Sequence, residues 1–156
     1  MTQEEHPFAR GPYLTSALLC ELVLQESNGV NSIIRVIDRL TVSATGLEPP
    51  PEMPTSQHKY TLYVAFKSGS ARGVKELKLR LQKPSGDSPP ATTYPLNFEG
   101  EDDRGVNLVI QMAIDIDEVG LWWFDVSLDG VSVTKIPLRV IYLRQPTPGP
   151  QAEAQE

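Results

Sequence analysis

The sequence predicts an all-β fold, an immunoglobulin-like antiparallel β-sandwich of seven to nine strands. Three observations carry that expectation. Apolar residues recur with a period of two, clusters of Pro, Gly, Asn and Asp separate the periodic runs, and no segment presents an amphipathic helical face.

Taken in order, the runs are consistent. Tyr60, Leu62, Val64 and Phe66 alternate with Thr61, Tyr63, Ala65 and Lys67, and Leu77, Leu79 and Leu81 alternate with Lys78 and Arg80. Val106, Leu108, Ile110, Met112 and Ile114 form the next set, then Trp122, Phe124, Val126 and Leu128, then Ile136, Leu138, Val140 and Tyr142. Each set directs one apolar side toward a core and a more polar side outward, as antiparallel sheets do.

Prolines mark the interruptions. Residues 1–14, with Pro7 and Pro12, read as an irregular segment, and Pro49, Pro50, Pro51 and Pro54 break 45–57. Pro84, Pro89, Pro90 and Pro95 break 84–95, and Pro146, Pro148 and Pro150 open a polar tail. The expected organisation is one domain over 15–144, an irregular N-terminal segment over 1–14 and a disordered tail over 145–156.

With 156 residues, 40% of them hydrophobic, the chain can build a core without staples. A formal charge of −6 argues against nucleic acid and anionic membranes as partners, because phosphate binding runs on clustered Lys and Arg. The single cysteine, Cys20, allows no intrachain disulfide. No apolar run approaches the ~20 residues that span a bilayer, and the first residues lack a basic-then-apolar leader pattern. The cytoplasm is the expected compartment.

Strand register follows from charge. Around Ser27-Asn28-Gly29, a three-residue loop with Gly29 left-handed pairs Leu22 with Ile34 and Cys20 with Val36, and sets Glu21 opposite Arg35. A two-residue Asn-Gly turn would pair Leu22 with Arg35 instead. Around Asp129-Gly130-Val131, an odd-length loop pairs Phe124 with Ile136, Trp122 with Leu138 and Asp125 with Lys135. Pro137 cannot donate to a ladder, so either its strand is an edge or that position faces away from the neighbour.

Candidate chemistry is sparse. Cys20, in phase with Leu18 and Leu22, reads as a core residue rather than a nucleophile, since the histidines, His6 and His58, lie in a tail and at a strand start. No catalytic residue, cofactor site or His/Cys metal site emerges, and an enzyme is not expected. The acidic loop Glu99-Gly100-Glu101-Asp102-Asp103 offers oxygen ligands, with Asp102 and Asp103 the weak metal candidates, but lacks EF-hand spacing and reads as a solvated turn. Asp38 falls on the expected inner face beside Ile34, Val36 and Leu40. It needs a bulge, backbone N–H groups or a basic residue such as Arg39 there, and otherwise marks a charged site. Lys75, Lys78, Arg80 and Lys83 read as a solvated face.

Apolar residues on the opposite phase are more informative. Leu19, Val23, Ile33 and Ile37 share the expected outer face of the first hairpin, and Trp123 lies outward on the penultimate strand beside Leu121. Either the Pro-rich segments and N-terminal Phe8 and Tyr13 cover these faces, or they form a surface for a protein partner or a homodimer.

The stretch LLCELVLQESNGVNSIIRVIDRLTV (18–42), with FEGEDDRGVNLVI and GLWWFDVSLDGVSVTKIPLRVIY, resembles a family of small bacterial proteins catalogued as a domain of unknown function. The resemblance covers most of 18–142 and implies a bacterial or phage-related origin and a β-sandwich, with no activity, cofactor or catalytic residue attached. The chain departs from that pattern in its Pro-rich insertion near 48–54 and its tail. The resulting expectation is a non-enzymatic interaction or scaffolding module, with a small-ligand or divalent-ion-binding domain as the alternative.

Overall fold

The structure, a computed structural model, describes residues 5–150. Among these residues the chain forms nine strands and no helix: β1 (Tyr13–Gln25), β2 (Asn31–Val36), β3 (Arg39–Gly46), β4 (Ser56–Lys67), β5 (Arg72–Gln82), β6 (Thr92–Glu99), β7 (Gly105–Ile116), β8 (Gly120–Leu128) and β9 (Val131–Pro146). A four-stranded sheet has the order β2-β1-β4-β7 and a five-stranded sheet the order β3-β9-β8-β5-β6. One of the two is curled into a half-barrel.

The period-two runs explain the core. Tyr60, Leu62, Val64 and Phe66 of β4 are buried in one cluster with Trp122, Phe124, Val126 and Leu128 of β8, joined by Leu77, Leu79, Leu138 and Val140. Phe66 meets Phe98 of the opposite sheet edge-to-face, with centroids 5.9 Å apart and rings at 84°, the geometry aromatic quadrupoles favour. Each fully buried aliphatic or aromatic side chain contributes about 1.5–3 kcal/mol relative to exposure. The Trp122 indole N–H donates to the Glu118 carbonyl at 3.0 Å, so the largest core residue leaves no unpaired donor.

The arrangement is not wholly antiparallel. β3 runs parallel to β9, from Arg39↔Arg139 to Gly46↔Pro146. The expected antiparallel, immunoglobulin-like pattern therefore holds only as an all-β pair of sheets on a common core. This pairing also resolves Pro137. The Arg139 N–H donates to the Asp38 carbonyl at 3.1 Å. The Pro137 nitrogen, two residues earlier, points to the same side just before β3 begins, so no ladder bond is lost although β9 is an interior strand. Pro95 sits in β6, an edge.

Strands reach into all four expected breaks, with β3 ending at Gly46, β4 starting at Ser56 and β6 starting at Thr92. Pro12 is buried and β1 begins at Tyr13, while β9 continues through Pro146, where a tail was expected from Gln145. Thr147 N–H still donates to the Gly46 carbonyl at 2.8 Å. Residues 151–156 of that expected tail lie outside the described residues. The Pro-rich connection between β3 and β4 is tied down: Arg144 donates to the Pro49 carbonyl at 2.8 Å and Tyr142 to that of Pro50 at 2.7 Å.

Both hairpin registers agree with the charge argument. β1 and β2 pair Leu22↔Ile34 and Cys20↔Val36, Gly29 is left-handed at φ 83°, and Glu21 and Arg35 form an exposed ion pair at 3.2 Å. β8 and β9 pair Phe124↔Ile136, Trp122↔Leu138 and Asp125↔Lys135, but by another route. The turn is a two-residue Asp129-Gly130 with φ of 46° and 80°, the signs a type I′ turn requires. A bulge then shifts the register between Val126 and Ser127, giving the pairing of an odd loop. Asp129 is held in this conformation by its neighbours: its N–H donates to the Glu76 carbonyl, and its carboxylate accepts from Glu76 N–H, each at 2.8 Å.

The buried Tyr60 hydroxyl has no hydrogen-bond partner, and burial pushes its pKa up to about 12. A folded value above the unfolded one means the stabilisation of neutral phenol is complete below about pH 10 and lost as pH rises through about 12. Tyr60→Phe removes an unsatisfied donor, which costs about 1–3 kcal/mol when buried. Thermal melts should show the variant as stable as the parent or more so at neutral pH, with a smaller loss between pH 10 and 12.

Candidate functional site

The most unusual local structure is in β1. Its first half pairs with β4 as far as Cys20↔Thr61, and its second half pairs only with β2, from Cys20 to Gln25. Beyond Cys20 the β1–β2 hairpin is thus a two-stranded arm that leaves the ladder of β4. It crosses the outer side of the same sheet: Glu21 and Leu22 line a cleft of about 360 Å³ with Lys59, Thr61, Gln111 and Ala113. Val23, Gln25, Gly29 and Asn31 line another of about 370 Å³ with Asn107 and Val109 of β7. The Thr61 hydroxyl donates to the Glu21 carbonyl at 3.4 Å at the root of the arm.

This geometry inverts the expected faces of the first hairpin while keeping its register. Leu19, expected on the outer face, pairs with Leu62 and is fully buried in the main core. Ile37 is half-buried against that core, and Val23 and Ile33 are half-buried on the arm. The residues expected inside are the exposed ones: Leu22, Leu24, Ile34 and Val36 are 40%, 46%, 39% and 63% accessible. Both phases of this hairpin are apolar, so period alone could not say which one meets the core. The pairing of β1 with β4 decides it.

Cys20 is buried as expected, but on the side of the sheet away from the main core, where its thiol lies 3.6 Å from the Thr61 carbonyl. Burial pushes the thiol pKa up, against a smaller lowering from a backbone hydrogen bond to Leu22. A raised pKa is the opposite of an activated nucleophile. Asp38, expected to face inward, is exposed in the bend between β2 and β3, where the chain passes from one sheet to the other. It needs no buried partner.

Trp123 is half-buried on the outer side of β8, with Gln82 and Pro137 as its cross-strand neighbours. Two of the basic residues in and just after β5 form ion pairs. Arg80 lies opposite Asp125, Lys75 pairs with Asp129 at 3.4 Å, and Lys83 pairs with Asp117 at 2.9 Å while sitting 5.6 Å from the Trp122 ring centroid. The Asp117 contact raises the Lys83 pKa.

In the loop before β7, Arg104 donates to Glu101 at 2.9 Å and also binds Glu99, so two of the carboxylates near Asp102 and Asp103 share one guanidinium. Among the described residues, no group of three His, Cys, Asp or Glu side chains could hold a metal ion. No helix of the described residues is long and apolar enough to cross a membrane.

The chain belongs to the family of unknown function DUF6941, which matches residues 15–141. That span agrees with the resemblance carried by 18–142 and includes every strand residue of the arm. No curated protein matches the chain.

The placement of Cys20 makes a direct prediction. A thiol reagent should label native protein no faster than the arm or the whole domain opens, and label it at once in denaturant. Rapid labelling of the native chain at neutral pH would contradict the buried position.

Proposed function

We propose that this protein is a non-enzymatic interaction module whose binding surface is the outward side of the β1–β2 arm. The single observation that carries the reading is the apolar ridge of Leu22, Leu24, Ile34 and Val36, which are 39–63% exposed and occupy adjacent register positions. Isolated surface hydrophobes are ordinary, but a contiguous row on a two-stranded arm is the type of patch that marks protein contacts. Val30 at the arm's tip, 56% exposed, extends it. The partner that fits is a protein surface offering an apolar groove, with exposed Glu21 and Arg35 at the border for polar pairing.

Several features support a binding role over a chemical one. Cys20 is the chain's single cysteine, and its raised pKa disfavours the thiolate. The carboxylates Glu99 and Glu101 are paired with Arg104. A lone free thiol is compatible with the reducing cytoplasm, and the motif resemblance with a bacterial host.

The test compares capture of host proteins by the parent chain and by Leu24→Lys/Ile34→Lys, followed by direct binding of the purified partner. Both positions are exposed, so stability should change by less than ~0.5 kcal/mol. Affinity for the partner should fall at least about tenfold, since buried apolar anchors dominate interface energy. Val74→Lys, at a 69%-exposed site on the other sheet, should bind like the parent. Equal binding by all three chains would overturn the assignment of the arm.

A further inference from the structure

We propose that two copies of this chain dimerise by pairing β7 against β7, antiparallel about a two-fold axis at Gln111, which joins their four-stranded sheets into one continuous sheet. This goes beyond the interaction reading: it uses the open backbone edge of β7, whose outer side chains line the clefts beneath the arm, and not the outward side of the arm itself.

β7 is an outer strand whose one partner among the described residues is β4, paired from Ser56↔Ile116 to Lys67↔Gly105 with no bulge. No backbone hydrogen bond from a turn or loop reaches it among the described residues. Half of its N–H and C=O groups therefore face outward, ready to template another strand.

The other edges are guarded. β2 has six residues and contains Arg35 in a left-handed conformation at φ 53°. β6 contains Pro95. β3 has eight residues and runs into the Pro-rich segment held by Tyr142 and Arg144. β7 has twelve residues with no Pro, Lys or Arg, and its one charge is Asp115. None of the usual devices against edge pairing is present.

The occupant is argued from the sequence of β7 itself. With the axis at Gln111, the outer side pairs Asn107 with Asp115 and Val109 with Ala113, and the core side pairs Val106 with Ile116, Leu108 with Ile114 and Ile110 with Met112. Like meets like on both faces, and no two charges oppose. Moving the axis by one residue sets Val109 opposite Gln111 or Asp115. Leu108, Met112 and Ile114 are half-buried against the core at the open edge, and a second copy would continue that core with the same side chains. The chain carries a net −6, but the contact strand carries one carboxylate, so the paired strands themselves add little repulsion between two acidic copies.

Sedimentation equilibrium over a range of concentrations reads the result. The parent should approach twice the 17.2 kDa of one chain. Val109→Lys/Ala113→Lys places like charges directly opposite at two symmetric positions and should weaken dimerisation at least about tenfold. Val109→Lys/Ala113→Asp turns both positions into opposite-charge pairs and should restore it. Both sites are exposed, and melting temperatures of the variants check that the fold is kept. A parent that stays monomeric, a double-lysine chain that dimerises as tightly as the parent, or a Lys/Asp chain that stays as weak as the double-lysine one would each overturn the proposal. Loss of the dimer in Leu24→Lys/Ile34→Lys would likewise overturn it, by assigning self-association to the arm.

Discussion

Leu19 and Cys20 are neighbours in one strand, and both are fully buried. Side chains at successive strand positions point to opposite faces, so a strand can bury adjacent residues only where both of its faces are covered. The five-stranded sheet covers the Leu19 side, where Leu62, Trp122 and Leu138 share the core. The Cys20 side is covered by the chain's own continuation, because β1 leaves β4 at this point and the arm passes over Thr61 and Val109. Thr61, whose hydroxyl donates to the Glu21 carbonyl at the root of the arm, is buried on that outer side although its phase is the polar one. The rest follows: once the arm lies down, one of its sides is half-buried and the other is left facing water with four aliphatic residues.

Much of this was legible in the sequence. The alternation in β4, β5, β7, β8 and β9 identifies their core sides, because in each of those strands one phase is decisively more apolar. Charge pairs fix the hairpin registers, and the Glu21–Arg35 contact forms as that reasoning requires. What could not be read is which face of β1–β2 turns inward. Leu18, Cys20 and Leu22 on one phase and Leu19, Val23 and Ile37 on the other are about equally apolar, so the hydrophobic term gives no preference until β4 is in place. The parallel β3–β9 pair was hidden too, because alternation is the same in parallel and antiparallel strands and Gly46↔Pro146 joins residues far apart in sequence.

The last hairpin is instructive in another way. Its register agrees with an odd loop, yet the turn is the two-residue Asp-Gly form that the dipeptide itself favours. The bulge between Val126 and Ser127 reconciles the two, letting the local turn and the core pairing of Phe124 with Ile136 both be satisfied. Local preference and tertiary packing conflict by one residue, and one inserted residue absorbs it. The same division of labour holds in the arm. A rigid two-sheet core fixes its root at Cys20, while its apolar ridge contributes little to that core and is free to serve as a contact surface.

The most direct measurement compares the stabilities of Leu19→Ala and Leu22→Ala by denaturant unfolding. If Leu19 faces the shared core and Leu22 the solvent side of the arm, the first should cost about 2–5 kcal/mol and the second less than about 1 kcal/mol. The reverse order would contradict the course of β1, and with it the exposed ridge.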